Sequence, residues 1–201
     1  MKRQGKIFIV IGIVALLLLI GWAVASIIQK QKSKNQVAQT DARVIDKNKT
    51  IGADKVISSR QVVDAFKGLG KDIKGPNKSG VLVAEKDSQG EAVTYPMTTL
   101  KKNVTATLHV NKFIYNDVDT LKKNLPFEES RGEAIEGVGD MARYMFIRPV
   151  AADWQAVVMV VKDKTLYTFT LIQNYNEGIG ITETAAKQAL VSLAKNANYG
   201  K

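Results

Sequence analysis

The residue types that could do chemistry are few in this chain of 201 residues. His109 is the only histidine, so a Ser-His-Asp arrangement or a histidine-rich metal site has no second imidazole to draw on. There are no cysteines, which removes disulfides, thiol nucleophiles and zinc-thiolate sites together. The carboxylates that crowd together, Glu128, Glu129, Glu133, Glu136 and Asp140, are of the type that does acid/base work or holds calcium. They lack the D-x-[DN]-x-[DN]-G spacing of a calcium loop, and a solvated acidic loop is the expectation. GLGKDIKG and GPNKSG lack the G-x4-G-K-[ST] spacing of a phosphate loop, and no G-x-S-x-G occurs. No catalytic, cofactor-binding or metal-ligating residue is assigned, and the chain is expected to be a non-enzyme without cofactors.

Around these residues, the elements follow from periodicity. VTATLHVNKFIY alternates, with Val104, Ala106, Leu108 and Val110 on one face of a strand and Thr105, Thr107, His109 and Asn111 on the other. His109 is therefore expected on a polar, surface-type face. Ser58-x-x-Gln61 has the pattern of a capping box, and Val62, Val63, Phe66 and Leu69 repeat at helical spacing after it, with Gly68 and Gly70 as the stop. KDIKGPNKSG has turn chemistry from Lys71 to Gly80. A strand over 80–86, a turn at Ser88-Gln89-Gly90 and a strand through EAVTYPM precede the alternating strand. NDVDTLKKNL reads as a helix capped at Asn116 or Asp117, with Val118, Leu121 and Leu125 inward. MARYMFIR, WQAVVMVVKD and TLYTFTLIQ are consecutive strands, the second apolar on both faces and so central, with a hairpin at Lys162-Asp163-Lys164. Thr182 caps a last helix whose Ala186, Ala189, Leu190, Leu193 and Ala197 form a packing seam. The predicted order α-β-β-β-α-β-β-β-α gives an α+β domain with an antiparallel sheet of about six strands packed by two to three helices.

The N-terminus has a different solvent. Ile7 to Ile28 is an uncharged run of 22 residues, about 33 Å as a helix, which matches a hydrocarbon core. It predicts a single-pass signal-anchor over 7–28, a cytoplasmic tail over 1–6, a polar stalk over 29–57 and an extracytoplasmic domain over 58–201. Ala23-Val24-Ala25 also has the A-x-A form of a signal-peptidase site, which would release the domain at Ser26. Lys2, Arg3 and Lys6 balance Lys30, Lys32 and Lys34 across the run, so the charge rule alone ties, and the short tail sets the N-terminus inside. Gly21 and Ala25 make a small-xxx-small pair that could pack on another helix.

The formal net charge of +10 is unevenly spread. Residues 1–40 carry six Lys/Arg and no acid, 41–80 nine against five, and 81–201 fourteen against fourteen. That is a basic collar beside the hydrophobic run, suited to anionic lipid or a polyanionic wall, and it argues against nucleic acid as a partner. The expected partners are membrane lipid through 7–28 and an envelope protein or wall component.

Glu136-Gly137-Val138-Gly139-Asp140-Met141-Ala142, followed by an aromatic strand, a strand pair around Lys162-Asp163-Lys164 and a closing Ala-rich helix, resembles a broad group of bacterial exported proteins with a PsbP-like α/β/α fold. The similarity spans roughly residues 58–198. It implies an exported binding or accessory module with no catalytic residue to carry over. Many members are held by an N-terminal lipidated cysteine, a place taken here by the hydrophobic run. From the residues alone, Gly137 and Gly139 are expected to supply positive φ in a tight turn. Two alternative functions stand beside the binding module: a carboxylate-dependent envelope hydrolase acting through the acidic loop, and a bitopic subunit of a secretion or pilus-like assembly.

Overall fold

A computed structural model describes residues 50–82, 88–148, 153–174 and 177–200. The predicted anchor and most of the stalk lie outside the described residues, and no helix among the described residues is long and apolar enough to cross a membrane.

The domain is α+β, built on one curled antiparallel sheet of eight strands. In chain order these are β1 (Gly70–Lys71), β2 (Asn77–Leu82), β3 (Ser88–Thr99), β4 (Thr105–Tyr115), β5 (Glu133–Ala134), β6 (Met141–Ile147), β7 (Trp154–Lys162) and β8 (Thr165–Gln173). Their order across the sheet is β1-β3-β4-β8-β7-β6-β5, with β2 also paired to β3. Five of the six longer strands lie where expected; β2, expected over 80–86, starts earlier at Asn77 and is described to Leu82, residues 83–86 lying outside the described residues, and β1 and β5 add two residues each at the edges. Three α-helices accompany them, α1 (Ser59–Ala65), α2 (Val118–Lys123) and α3 (Glu183–Asn196).

The helix starts follow from their caps. The Ser58 side chain accepts from the Gln61 N–H and the Gln61 side chain accepts from the Ser58 N–H, completing the box. Asp117, rather than Asn116, caps α2 through the Thr120 N–H at 2.7 Å, and Thr182 caps α3 through the Ala185 N–H. Burial then orients each element. On one sheet face, α1 and α3 cover a core containing Val62, Phe66, Tyr95, Leu108, Phe169 and Leu190, each worth about 1.5–3 kcal/mol for a fully buried large apolar side chain. Ala186, Ala189 and Ala194 bring α3 close to the strands. The opposite face carries a smaller core at one end, where Leu121 of α2 and Phe127 pack on Tyr115, Met159 and Leu166. β7 is buried on both faces because it feeds both cores, as its unbroken apolar run predicts.

Several expectations are corrected. Ser88, Gln89 and Gly90 form no turn; they open β3, paired with Tyr115, Ile114 and Phe113, because the long β4 offers ladder partners that outweigh local turn propensity. The Lys71–Gly80 stretch is interrupted by β1 and β2 for the same reason: β3 extends past both. Val63 and Val118, read as inward, are 48% and 45% exposed, since each helix is too short to bury more than one narrow stripe. The stalk boundary also moves back. Ala53, Val56 and Ile57 are buried, so the domain opens near Ile51 rather than at Ser58.

Candidate functional site

The face of the sheet opposite α3 is divided. Its Tyr115 end lies under α2 and Phe127, whereas its other end, around His109, has no described helix over it. In the register, His109 sits between Thr94 of β3 and Thr170 of β8, and Thr107 sits between Pro96 and Ile172. All six side chains are half-buried. Asn111 donates to the Thr168 hydroxyl at 2.9 Å, closing the patch on the side of the second core.

Alternation creates this surface. Each strand gives most of its apolar residues to the α3 side, and the same period places Thr94, Thr107, Thr170 and His109, with Pro96 and Ile172, on the other. Strand spacing then sets the Thr94 and Thr170 hydroxyls about 10 Å apart across the sheet, one on either side of His109, with Thr107 about 7 Å along β4 from His109. A threonine hydroxyl both donates and accepts, so the array can meet a ligand bearing alternating hydroxyl or amide groups. Burial lowers the His109 pKa from its ordinary value, which keeps the imidazole neutral at neutral pH, with one donor and one acceptor nitrogen. The patch mixes four polar side chains with Pro96 and Ile172 and carries no charge. The sequence places His109 on a polar strand face; that Thr94 and Thr170 flank it depends on strand order, which periodicity does not encode.

The acidic residues form no single centre. Asp140 accepts from Lys162 Nζ at 2.8 Å and from the Asp163 N–H at 2.5 Å. Glu133 meets Lys187 of α3, and Glu129 meets Lys122 of α2 at 3.8 Å. Glu128 and Glu136 are exposed. Each paired carboxylate reaches a lysine on a different element, and no group of three or more His, Asp or Glu positioned to hold a metal ion occurs among the described residues. Lys162 and the Asp163 N–H hold the Asp140 carboxyl below its ordinary value, with the Lys162 hydrogen bond as the larger cause.

The GVGD segment has a structural task. Gly137 and Gly139 both have positive φ, as their turn requires, yet their surroundings differ. An added Cβ at Gly137 meets open space, whereas at Gly139 it would press on the Val161 carbonyl oxygen and lie 2.7 Å from Val160 Cγ1. That close approach lets the Asp140 N–H donate to the Val161 carbonyl at 2.7 Å and aims the Asp140 carboxylate at the β7–β8 hairpin.

Sequence reasoning misses the polar group that fixes the start of the domain. Glu91 is 4% exposed, and its carboxylate accepts from the Ile51 and Gly52 N–H groups at 2.7 and 2.9 Å. Lys112, its register partner on β4, donates to the Ile51 carbonyl at 2.8 Å. The signal available was a lone charged residue in a strand otherwise free of charge.

Compared with models of protein families, with characterised proteins and with solved structures, the chain gives no match.

Proposed function

We propose that this chain is a non-catalytic binding module, held in a cell membrane by residues 7–28 with residues 1–6 cytoplasmic and the α+β domain outside. One observation carries the binding role: the half-buried, uncharged face around His109, Thr94, Thr107 and Thr170, which no helix among the described residues covers. Its chemistry suits an uncharged partner rich in hydroxyl and amide groups, such as a wall glycan, a peptide or an extended segment of an envelope protein. The resemblance to PsbP-like exported proteins supports the same role. The uncharged 22-residue run supports the location.

The carboxylate-hydrolase alternative needs two carboxylates facing one bond, and Asp140 and Glu133 are turned toward lysines instead. The assembly-subunit alternative rests on Gly21 and Ala25, outside the described residues. Neither has an observation in its favour.

The location is tested by alkaline extraction of membranes, protease accessibility in intact cells and N-terminal sequencing; a mature chain starting at Ser26 would sink the anchor. For binding, solubilised full-length chain is screened for partners beside Thr107→Lys, which places an ammonium on the His109 face. Wild type is expected to retain a partner or to melt higher with soluble wall fragments, and the equally folded variant to lose either effect. A variant that binds as well as wild type would overturn the assignment of this face.

A further inference from the structure

The turn between β3 and β4 ends the sheet at a point unlike the His109 face. Leu100 lies there 48% exposed, followed by exposed Lys101 and Lys102. The neighbouring edge adds three more exposed lysines. Lys71 pairs with Thr98, the Lys74 N–H donates to the Pro96 carbonyl, and Lys67 lies two residues before Leu69, whose carbonyl accepts from the Leu100 N–H at 2.9 Å. Two carboxylates share the region. Asp72 follows Lys71, and Glu177 is engaged with the Thr105 N–H at 2.8 Å and Asn174 at 3.4 Å.

This end is rigid. Buried Gln173 accepts from the Gly180 and Ile181 N–H groups and donates to the Ile181 carbonyl, and Gly180 packs so closely on Thr99 that no side chain fits between them. Between the turn and this loop lies a cleft of about 340 Å³, with Leu69, Leu100 and Ile181 in its wall and Lys101 at its rim. Five lysines around an exposed leucine and an apolar cleft combine the two attractions an anionic bilayer offers, headgroup phosphate and acyl boundary.

We propose that this end of the domain docks on anionic lipid headgroups, Leu100 touching the acyl boundary and the lysines the phosphates. The inference rests on the membrane anchor proposed above, which would hold the domain beside such a surface. Reach permits it: Ile51 is fixed near Glu91, nine residues along β3 from Leu100, about 30 Å, and residues 29–50 span up to about 70 Å of contour. Docking would lay the domain against the bilayer and turn the His109 face sideways.

The absence of cysteine makes the test clean. Full-length chain carrying Leu100→Cys with a polarity-sensitive fluorophore is reconstituted in liposomes of phosphatidylcholine alone or mixed with phosphatidylglycerol. The label is expected to move to an apolar environment only with phosphatidylglycerol, and to return to water at high salt. Lys101→Glu with Lys102→Glu should cut the docked fraction relative to the free one by at least about 25-fold, at about fivefold per lysine lost. Carbonate extraction separates the two ideas. A chain that stays inserted while its label remains in water overturns the docking. A chain that is extracted overturns the anchor, and salt-sensitive flotation with phosphatidylglycerol liposomes then supports docking while its absence overturns it. A label that responds to soluble polyphosphate but not to lipid also overturns the proposal.

Discussion

Gly139 shows how one residue can carry a motif. Alanine there would combine a positive φ with collision against the Val161 carbonyl, so Gly139→Ala is expected to cost about 2–4 kcal/mol in urea denaturation. Gly137→Ala has the same backbone penalty and open space, and should cost about 1 kcal/mol. Equal losses would mean that the close approach is unimportant. His109 sets a pH dependence of the same sign as a paired carboxylate, but in the neutral range. Its folded pKa is lowered, so the unfolded chain takes up the proton first. The stability it contributes is present above the unfolded value, about 6.5, and is lost as pH falls through the folded one. His109→Gln should therefore flatten the fall in melting temperature between about pH 7 and 5. For Asp140 the window is lower. Its depressed folded value means stability present above about pH 4 and lost below it, a loss that Asp140→Asn should blunt in an acid melting series.

At the level of elements, two buried polar side chains hold segments that their own sequences would leave loose. Gln173 makes three hydrogen bonds with Gly180 and Ile181 and thereby delivers the chain from β8 to the Thr182 cap of α3. Gln173→Leu leaves those backbone groups buried without partners, a loss of about 2–4 kcal/mol that calorimetry should register, with α3 intact by circular dichroism. Glu91 does the same for the first turn of the domain. In Glu91→Gln, both N–H bonds, which share one carboxylate oxygen, lose their charged acceptor, and the attraction between Glu91 and Lys112 is lost. The expected result is faster hydrogen exchange at the Ile51 and Gly52 amides with little change at Leu108. Unchanged exchange would show that the core contacts of Ala53 and Val56 alone fix this segment.

For the domain as a whole, one sheet supports two cores of unequal size, and that inequality leaves part of a face without a covering helix among the described residues. α3, α1 and the segment around Ala53 and Val56 pack on one side, while α2, a six-residue helix, covers only the Tyr115 end of the other. Extending cover over the remainder would need apolar residues where Thr94, Thr107, His109 and Thr170 stand. The lysine-rich end beside Leu100 lies at another edge of the same sheet, so lipid docking and partner binding can occur together. Lys101→Glu with Lys102→Glu should leave partner retention unchanged, and Thr107→Lys should leave lipid docking unchanged.

The sequence determined what depends on neighbours within about four residues. The caps at Ser58, Asp117 and Thr182, the Lys162-Asp163-Lys164 hairpin, the seam of α3 and five of the six longer strands all follow from local hydrogen bonding and periodicity, and so does the placing of His109 on a polar face. The hydrophobic run at 7–28 is equally legible, because a stretch without charge needs no partner to define it. Tertiary structure decided what pairs across distance. Ser88 to Gly90 became strand because β4 runs opposite them. The acidic loop dispersed because Lys122, Lys162 and Lys187 arrive from three elements, and Glu91 found the backbone of Ile51 and Gly52 some 40 residues away. The His109 face belongs to this second kind: each threonine is visible in its own strand, but only the strand order, set by burying two cores at once, places them around His109.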